Sequence, residues 1–254
     1  MAAVEIAPGQ RSAALRSIFS RLRYNVEDWT SLSIAVVAAA TVFWGLGPSE
    51  IFVDSTPTGG DMGAHVWGPA FLRDELLPSF QLRGWSSDWY AGFPAMHFYM
   101  VLPYLLVVFV DLFAPYGVAF KLVAVSGVVC MPLAAWLMGR LSRWKEPLPA
   151  LLALAAMLFV FDFNFTIYGG NIASTLAGEF AFSIGLAVSL VYLGFISRVL
   201  EKGTHKGRAA VTLAVVALCH PITLLFAVAT TVIQVFTRSV HRLPARIGTK
   251  PTVI

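Results

Sequence analysis

Cysteine is nearly absent from this 254-residue chain. Cys130 and Cys219 each fall inside an apolar run, where a free thiol behaves as a small hydrophobe, and this excludes a disulfide-stapled scaffold. Histidine is scarce too, with five in the chain. None sits at the spacing of a zinc site, and the sequence leaves open a divalent cation held by carboxylates. Charge is the third shortage. Only 13% of residues are Asp, Glu, Lys or Arg, 57% are hydrophobic, and the mean hydropathy is +0.74. One soluble core cannot hide that much apolar surface. The net charge of +4 is small, and the bases form short clusters beside apolar runs instead of covering one face, which excludes nucleic acid as a partner.

What is present describes an all-α polytopic membrane bundle with the lipid bilayer as its first partner. Residues 1–30 place Arg11, Arg16, Arg21 and Arg23 at helical spacing around Leu15, Ile18, Phe19 and Leu22. That pattern predicts a basic amphipathic helix on the cytoplasmic leaflet. The apolar run after it is too long and uninterrupted to belong to a cleaved signal. A transmembrane domain over 31–236 and a basic tail over 237–254 follow. The first span is 31–46, prolonged by 51–53 toward the ~20 residues a crossing needs. The arginines before it put the N-terminus in the cytoplasm and the loop 48–97 outside.

Two apolar runs come next, 98–114 and 118–138. If both crossed, Arg140, Arg143 and Lys145 would face outward against the positive-inside rule. The shorter one, which contains Pro103 and Asp111, is therefore expected to lie along the outer leaflet as a juxtamembrane helix over 98–114. The run 148–161 leads outward to a second external loop at 162–175. The run 176–196 returns to Arg198, Lys202, Lys206 and Arg208. The last run, 209–236, is broken by His220-Pro221, long enough for one tilted helix and too short for two spans. A single crossing there puts Arg238 and Arg242 outside, in conflict with the charge rule.

Candidate functional residues concentrate in the first external loop. It holds six of the chain's fourteen acids and two bases, Arg73 and Arg83. Trp67, Trp85, Trp89 and Tyr90 are interleaved with them, as suits a membrane interface. Asp61 and His65 share a helical face just after Gly59 and Gly60. A carboxylate there can act as a general base toward a hydroxyl or hold a divalent cation, with His65 assisting. The competing reading makes Asp61 the cap of the following helix. Asp54 is a second candidate acid, or else a solvated loop residue. Arg73 offers a bidentate fork for phosphate, or half of a surface ion pair. Glu179 falls about one turn into a span, where an ionisable group usually faces a protein interior or wet cavity. Tyr168 and Asn171 belong to a turn that can approach the same pocket or simply connect helices. His220, at mid-membrane depth by this count, joins a polar site or bonds a carbonyl freed by Pro221.

Several short runs carry a resemblance. Asp61-x3-His65, Gly92-Phe93-Pro94, Phe98-Tyr99-x3-Pro103-Tyr104, Ala119-Phe120-Lys121-Leu122 and the stretch TIYGGNIASTLAGEF over 166–180 resemble the N-terminal part of bacterial GT-C-type membrane glycosyltransferases. The variety they look most like is the actinobacterial group of pyruvoyl-tetrahydropterin-synthase-related membrane proteins. The resemblance implies a multi-pass protein of the bacterial plasma membrane whose large first external loop bears a catalytic acid, Asp61 with Asp54 in reserve. It further implies a sugar donor carried on a polyprenyl phosphate and transfer to a cell-envelope glycan or lipid on the outer face. Two departures stand out. The partner of Asp61 is a histidine where such enzymes commonly pair two acids, and such enzymes are normally longer, so the chain is expected to be a piece of one. Two rival classes remain: a transporter or lipid-handling protein with Glu179, Lys121 and His220 along its path, and a non-catalytic subunit.

Overall fold

A computed structural model describes residues 26–98 and 100–242. Most of the basic amphipathic segment expected over 1–30 and most of the basic tail lie outside the described residues, and 26–30 belong to the first helix. The chain belongs to the all-α class expected of it. Among the described residues, four helical stretches are long and apolar enough to cross a membrane: Val26–Gly45, Tyr116–Leu141, Ile172–Lys202 and Pro221–Arg238.

We label the principal helices α1 (Val26–Gly45), α2 (Met62–Phe71), α3 (Val101–Asp111), α4 (Tyr116–Leu141), α5 (Leu148–Val160), α6 (Phe180–Lys202), α7 (Lys206–Cys219) and α8 (Pro221–Arg242). One small antiparallel ribbon pairs β1 (Gly84–Ser86) with β2 (Phe93–Ala95), with Trp85 opposite Pro94. The first helix starts earlier than the hydropathy pattern indicates. The expected extension over 51–53 is not part of it, because Pro48 opens a separate turn, Pro48–Ile51, and the residue before a proline is driven out of the helical region.

The central helix is α4, which is almost wholly apolar and packs against α1, α3, α5 and α6. At one end of the bundle, Arg140 bonds Asp28 at 2.5 Å and Glu146 at 2.9 Å, tying the start of α1 to the end of α4 and the approach to α5. Arg143 and Arg198 converge on Glu201 at the same end. At the opposite end, Lys121 Nζ donates to the carbonyls of Glu50 and Val53 at 2.6 Å. There it ties the turn that follows α1 to the start of α4. The short helix α3 has 11 residues, about 16 Å at 1.5 Å per residue, roughly half the ~30 Å of a hydrocarbon core.

The last apolar run resolves into a hairpin, which corrects the single-helix expectation. His220 is extended at φ −157, ψ 132, and Pro221 has no N–H to continue the ladder. The ring of His205 stacks on Phe195 with centroids 5.9 Å apart, so α7 sets off beside the arginine end of α6. After the turn, α8 runs back along α6: His220 meets Phe182, Tyr192 bonds Thr231 at 2.9 Å, and Arg238 reaches Ser197 at 2.8 Å. Arg238 therefore joins the other arginines, and the conflict over the positive-inside rule disappears. His220 is not at mid-bundle. It lies one residue short of Pro221 at the loop end, level with Phe182.

Candidate functional site

Two loops meet backbone to backbone at the loop end. The amide of Asp61 donates to the Ala177 carbonyl at 2.7 Å. Both sides require glycine. A Cβ on Gly60 would lie 2.2 Å from the Ala177 oxygen, and one on Gly178 would lie 2.9 Å from Asp61 Cβ and 3.2 Å from His65 Cδ2. Gly178 also holds φ at +127, a region that side chains rarely adopt. That glycine breaks the helical run, so a π-helical turn (Thr175–Glu179) ends there and α6 starts at Phe180. Glu179 consequently stands at the N-cap of α6, inside the apolar stretch Ile172–Lys202 and near its start. A second π-helical turn, Leu72–Leu76, follows α2 directly, and such turns often accompany functional sites.

The join brings Asp61, His65 and Glu179 together. Asp61 occupies the N-cap position of α2, yet its carboxylate makes no capping hydrogen bond, which removes the simple cap reading. It lies within Coulombic reach of both His65 and Glu179. The His65 ring is half-buried, with its Nδ1 3.0 Å from the Tyr104 hydroxyl and its face edge-on to Phe180 at 5.6 Å. Burial pulls its pKa below the ordinary 6.5, and the nearby Asp61 carboxylate opposes that only in part. His65 is thus a neutral imidazole at pH 7, able to accept or pass a proton.

Beside His65 opens a cavity of about 330 Å³ lined by Trp67, Trp89, Tyr90, Phe93, His97, Met100 and Tyr104, among others. Trp67, Trp89 and Phe93 form a triangle with ring centroids 5.6 to 6.1 Å apart, within the range of favourable aromatic pairs. Backbone strain collects at this wall. Tyr90, Met96 and Met100 have φ of 52, 60 and 72, a left-handed region costing non-glycine residues ~1–3 kcal/mol each and frequent at ligand sites.

The other candidates are held elsewhere. Arg73 gives its fork to Asp74 at 2.7 Å and Asp111 at 2.6 Å and lies over the Tyr116 ring. It clamps α2 to the α3–α4 corner, its donors already taken by protein carboxylates. Asp54 accepts from the Gly117 amide at 3.3 Å, at the start of α4. Tyr168 donates to Asp162 at 2.8 Å. Asn171 is fully buried and satisfied, donating to the carbonyls of Asp162 and Phe165 and accepting from the Ser174 amide. His220 Nδ1 accepts from the Ile222 amide at 3.2 Å. The sequence reading overlooked Tyr104, Phe180, Gly178, Phe93 and His97. Tyr104 and Phe93 lie within the quoted motifs, but nothing in the spacing ties them to His65. Among the described residues, no group of three or more His, Cys, Asp or Glu side chains is placed to hold a metal ion.

Residues 96–247 match the model of the 6-pyruvoyl-tetrahydropterin synthase related domain, a membrane protein family. The chain belongs to that family. No curated protein and no solved structure matches it. The matched segment includes Tyr104, Gly178 and Glu179, whereas Asp61 and His65 lie upstream of it. The family description agrees with the apolar helices in making this a multi-pass membrane protein.

Proposed function

We propose that this family member is a membrane glycosyltransferase of the GT-C type, or the N-terminal part of one. It would take a sugar from a polyprenyl-phosphate donor and transfer it to a cell-envelope acceptor, with the loop end on the outer face. In this reading Asp61 removes the proton from an acceptor hydroxyl. The oxygen attacks the anomeric carbon, the carbon–oxygen bond to phosphate breaks, and the polyprenyl phosphate leaves with the electron pair, inverting the sugar carbon. His65 holds the hydroxyl, and Glu179 closes the site from the second loop. The departing phosphate needs a positive partner. Arg73 is committed to its two carboxylates, so Arg83 is the base of the loop left for that role. No step is assigned to a divalent cation, for which the described residues offer no ligand set.

One observation carries this reading: a carboxylate at an N-cap position that caps nothing, held against a neutral histidine and a second acid by a glycine-dependent join. The transporter reading has less support, because Lys121, Glu179 and His220 sit in three separate local networks. The start of the family match at residue 96 favours one second reading, a non-catalytic membrane subunit whose family-wide role excludes Asp61. Sugar transfer from a lipid-linked donor in membranes separates the two. Asp61→Asn is expected to lower transfer by roughly 10²- to 10⁴-fold with expression intact, and unchanged transfer would overturn the assignment.

A further inference from the structure

The aromatic wall of the cavity beside His65 has no role in the transfer step above. The cavity walls are mostly aromatic, and among the described residues no Lys or Arg lines them. The Trp67 indole donates to Asp88 Oδ2 at 2.8 Å, placing a carboxylate against one ring of the cage and enriching that ring's π face. His65 contributes no positive charge at pH 7, since burial keeps it neutral. The surrounding loop 48–97 carries six acids against two bases, although the whole chain is net +4. One of those bases, Arg73, is neutralised by Asp74 and Asp111. Aromatic faces, one of them on a ring that carries the Asp88 carboxylate at its N–H edge, attract a weakly hydrated organic cation.

We infer that this cavity binds an alkylammonium group, with Trp89, Trp67 and Phe93 as its cation-facing wall and Asp88 as its counter-charge. The same ammonium chemistry occurs in a zwitterionic lipid headgroup and in a soluble quaternary amine, and the cavity fits both. Its occupation is independent of whether Asp61 transfers sugar.

The test is calorimetric titration of the purified chain in an uncharged detergent with choline and with its neutral isostere 3,3-dimethylbutan-1-ol. Choline is expected to bind about 3- to 30-fold more tightly, the range a cation–π contact supplies. Trp89→Leu, which keeps apolar bulk, and Asp88→Asn, at an exposed position, are each expected to erase that difference while leaving the weak binding of the alcohol. Circular dichroism melts would check that both variants fold. Repeating the titration in phosphatidylcholine and in phosphatidylglycerol nanodiscs separates the sources. Loss of choline binding only in phosphatidylcholine assigns the cavity to a lipid headgroup, and retention in both assigns it to a soluble amine. Equal binding of choline and the alcohol, or no saturable binding of choline by the folded protein in detergent, would overturn the inference.

Discussion

The two loops at the open end of the bundle use polar residues in opposite ways. In the second loop nearly every polar atom is spent on the chain itself. Asn171 bonds two carbonyls and an amide, and the Asp162 carboxylate accepts from Asn164 and Tyr168. The Asn164 amide and the Tyr168 hydroxyl hold the Asp162 carboxyl below the usual carboxylate range. In the first loop, Asp61 caps nothing and His65 is held by a single hydroxyl beside an open cavity. Satisfied polar groups fix a conformation, whereas groups left without partners beside a cavity are available to a ligand.

Substitutions can break this contrast, and the largest effect should come where the loops touch. Gly178→Val adds atoms into Asp61 and forces a side chain into φ +127. A loss of about 3–5 kcal/mol or failure to fold is expected, read from thermal unfolding in detergent. Asn171→Ala removes the partner of two part-buried carbonyls and of a buried helix-start amide. It should cost about 2–4 kcal/mol, with exchange rates rising across 162–175 and not across 62–71.

Acid should act on the first loop selectively. Because the folded His65 pKa lies below its ordinary 6.5, the unfolded chain binds the extra proton more readily. The stability linked to His65 is therefore full above pH 6.5 and declines as pH falls through and below that value. Hydrogen exchange over 62–71, corrected for intrinsic rates, should quicken between pH 7.5 and 5.5, and His65→Gln should flatten the dependence. Smallest in stability is Asp61→Asn, expected to fall within ~0.5 kcal/mol of the parent. A large stability loss there would make Asp61 a structural residue like Asn171 and dissolve the contrast between the loops.

Much of the fold is legible in the sequence because lipid imposes it. Long apolar runs bounded by arginines mark α1, α4 and α6, and the shortness of α3 follows from Pro103, Asp111 and the Pro115 break. The hairpin at His220-Pro221 is harder to read, since α7 has 14 residues and falls below the length that hydropathy treats as a crossing. The pairing of Asp61 with His65 is a local helical spacing and visible as such. Their meeting with Glu179 depends on Gly60 lying against Ala177 and Gly178 against Asp61 across more than a hundred residues, which no periodicity encodes. The same blindness explains Arg73. A fork suited to phosphate looks identical in sequence whether or not Asp111, 38 residues on, has already filled it.

The most direct test of the central claim is oxidative cross-linking of Asp61→Cys with Ala177→Cys, in a chain whose Cys130 and Cys219 are replaced by alanine. A join through the Asp61 amide and the Ala177 carbonyl predicts rapid, near-complete disulfide formation in membranes, and little with a control pair of Asp61→Cys and Tyr168→Cys. Failure of the 61–177 pair to cross-link in folded protein would contradict a shared acid site built from the two loops.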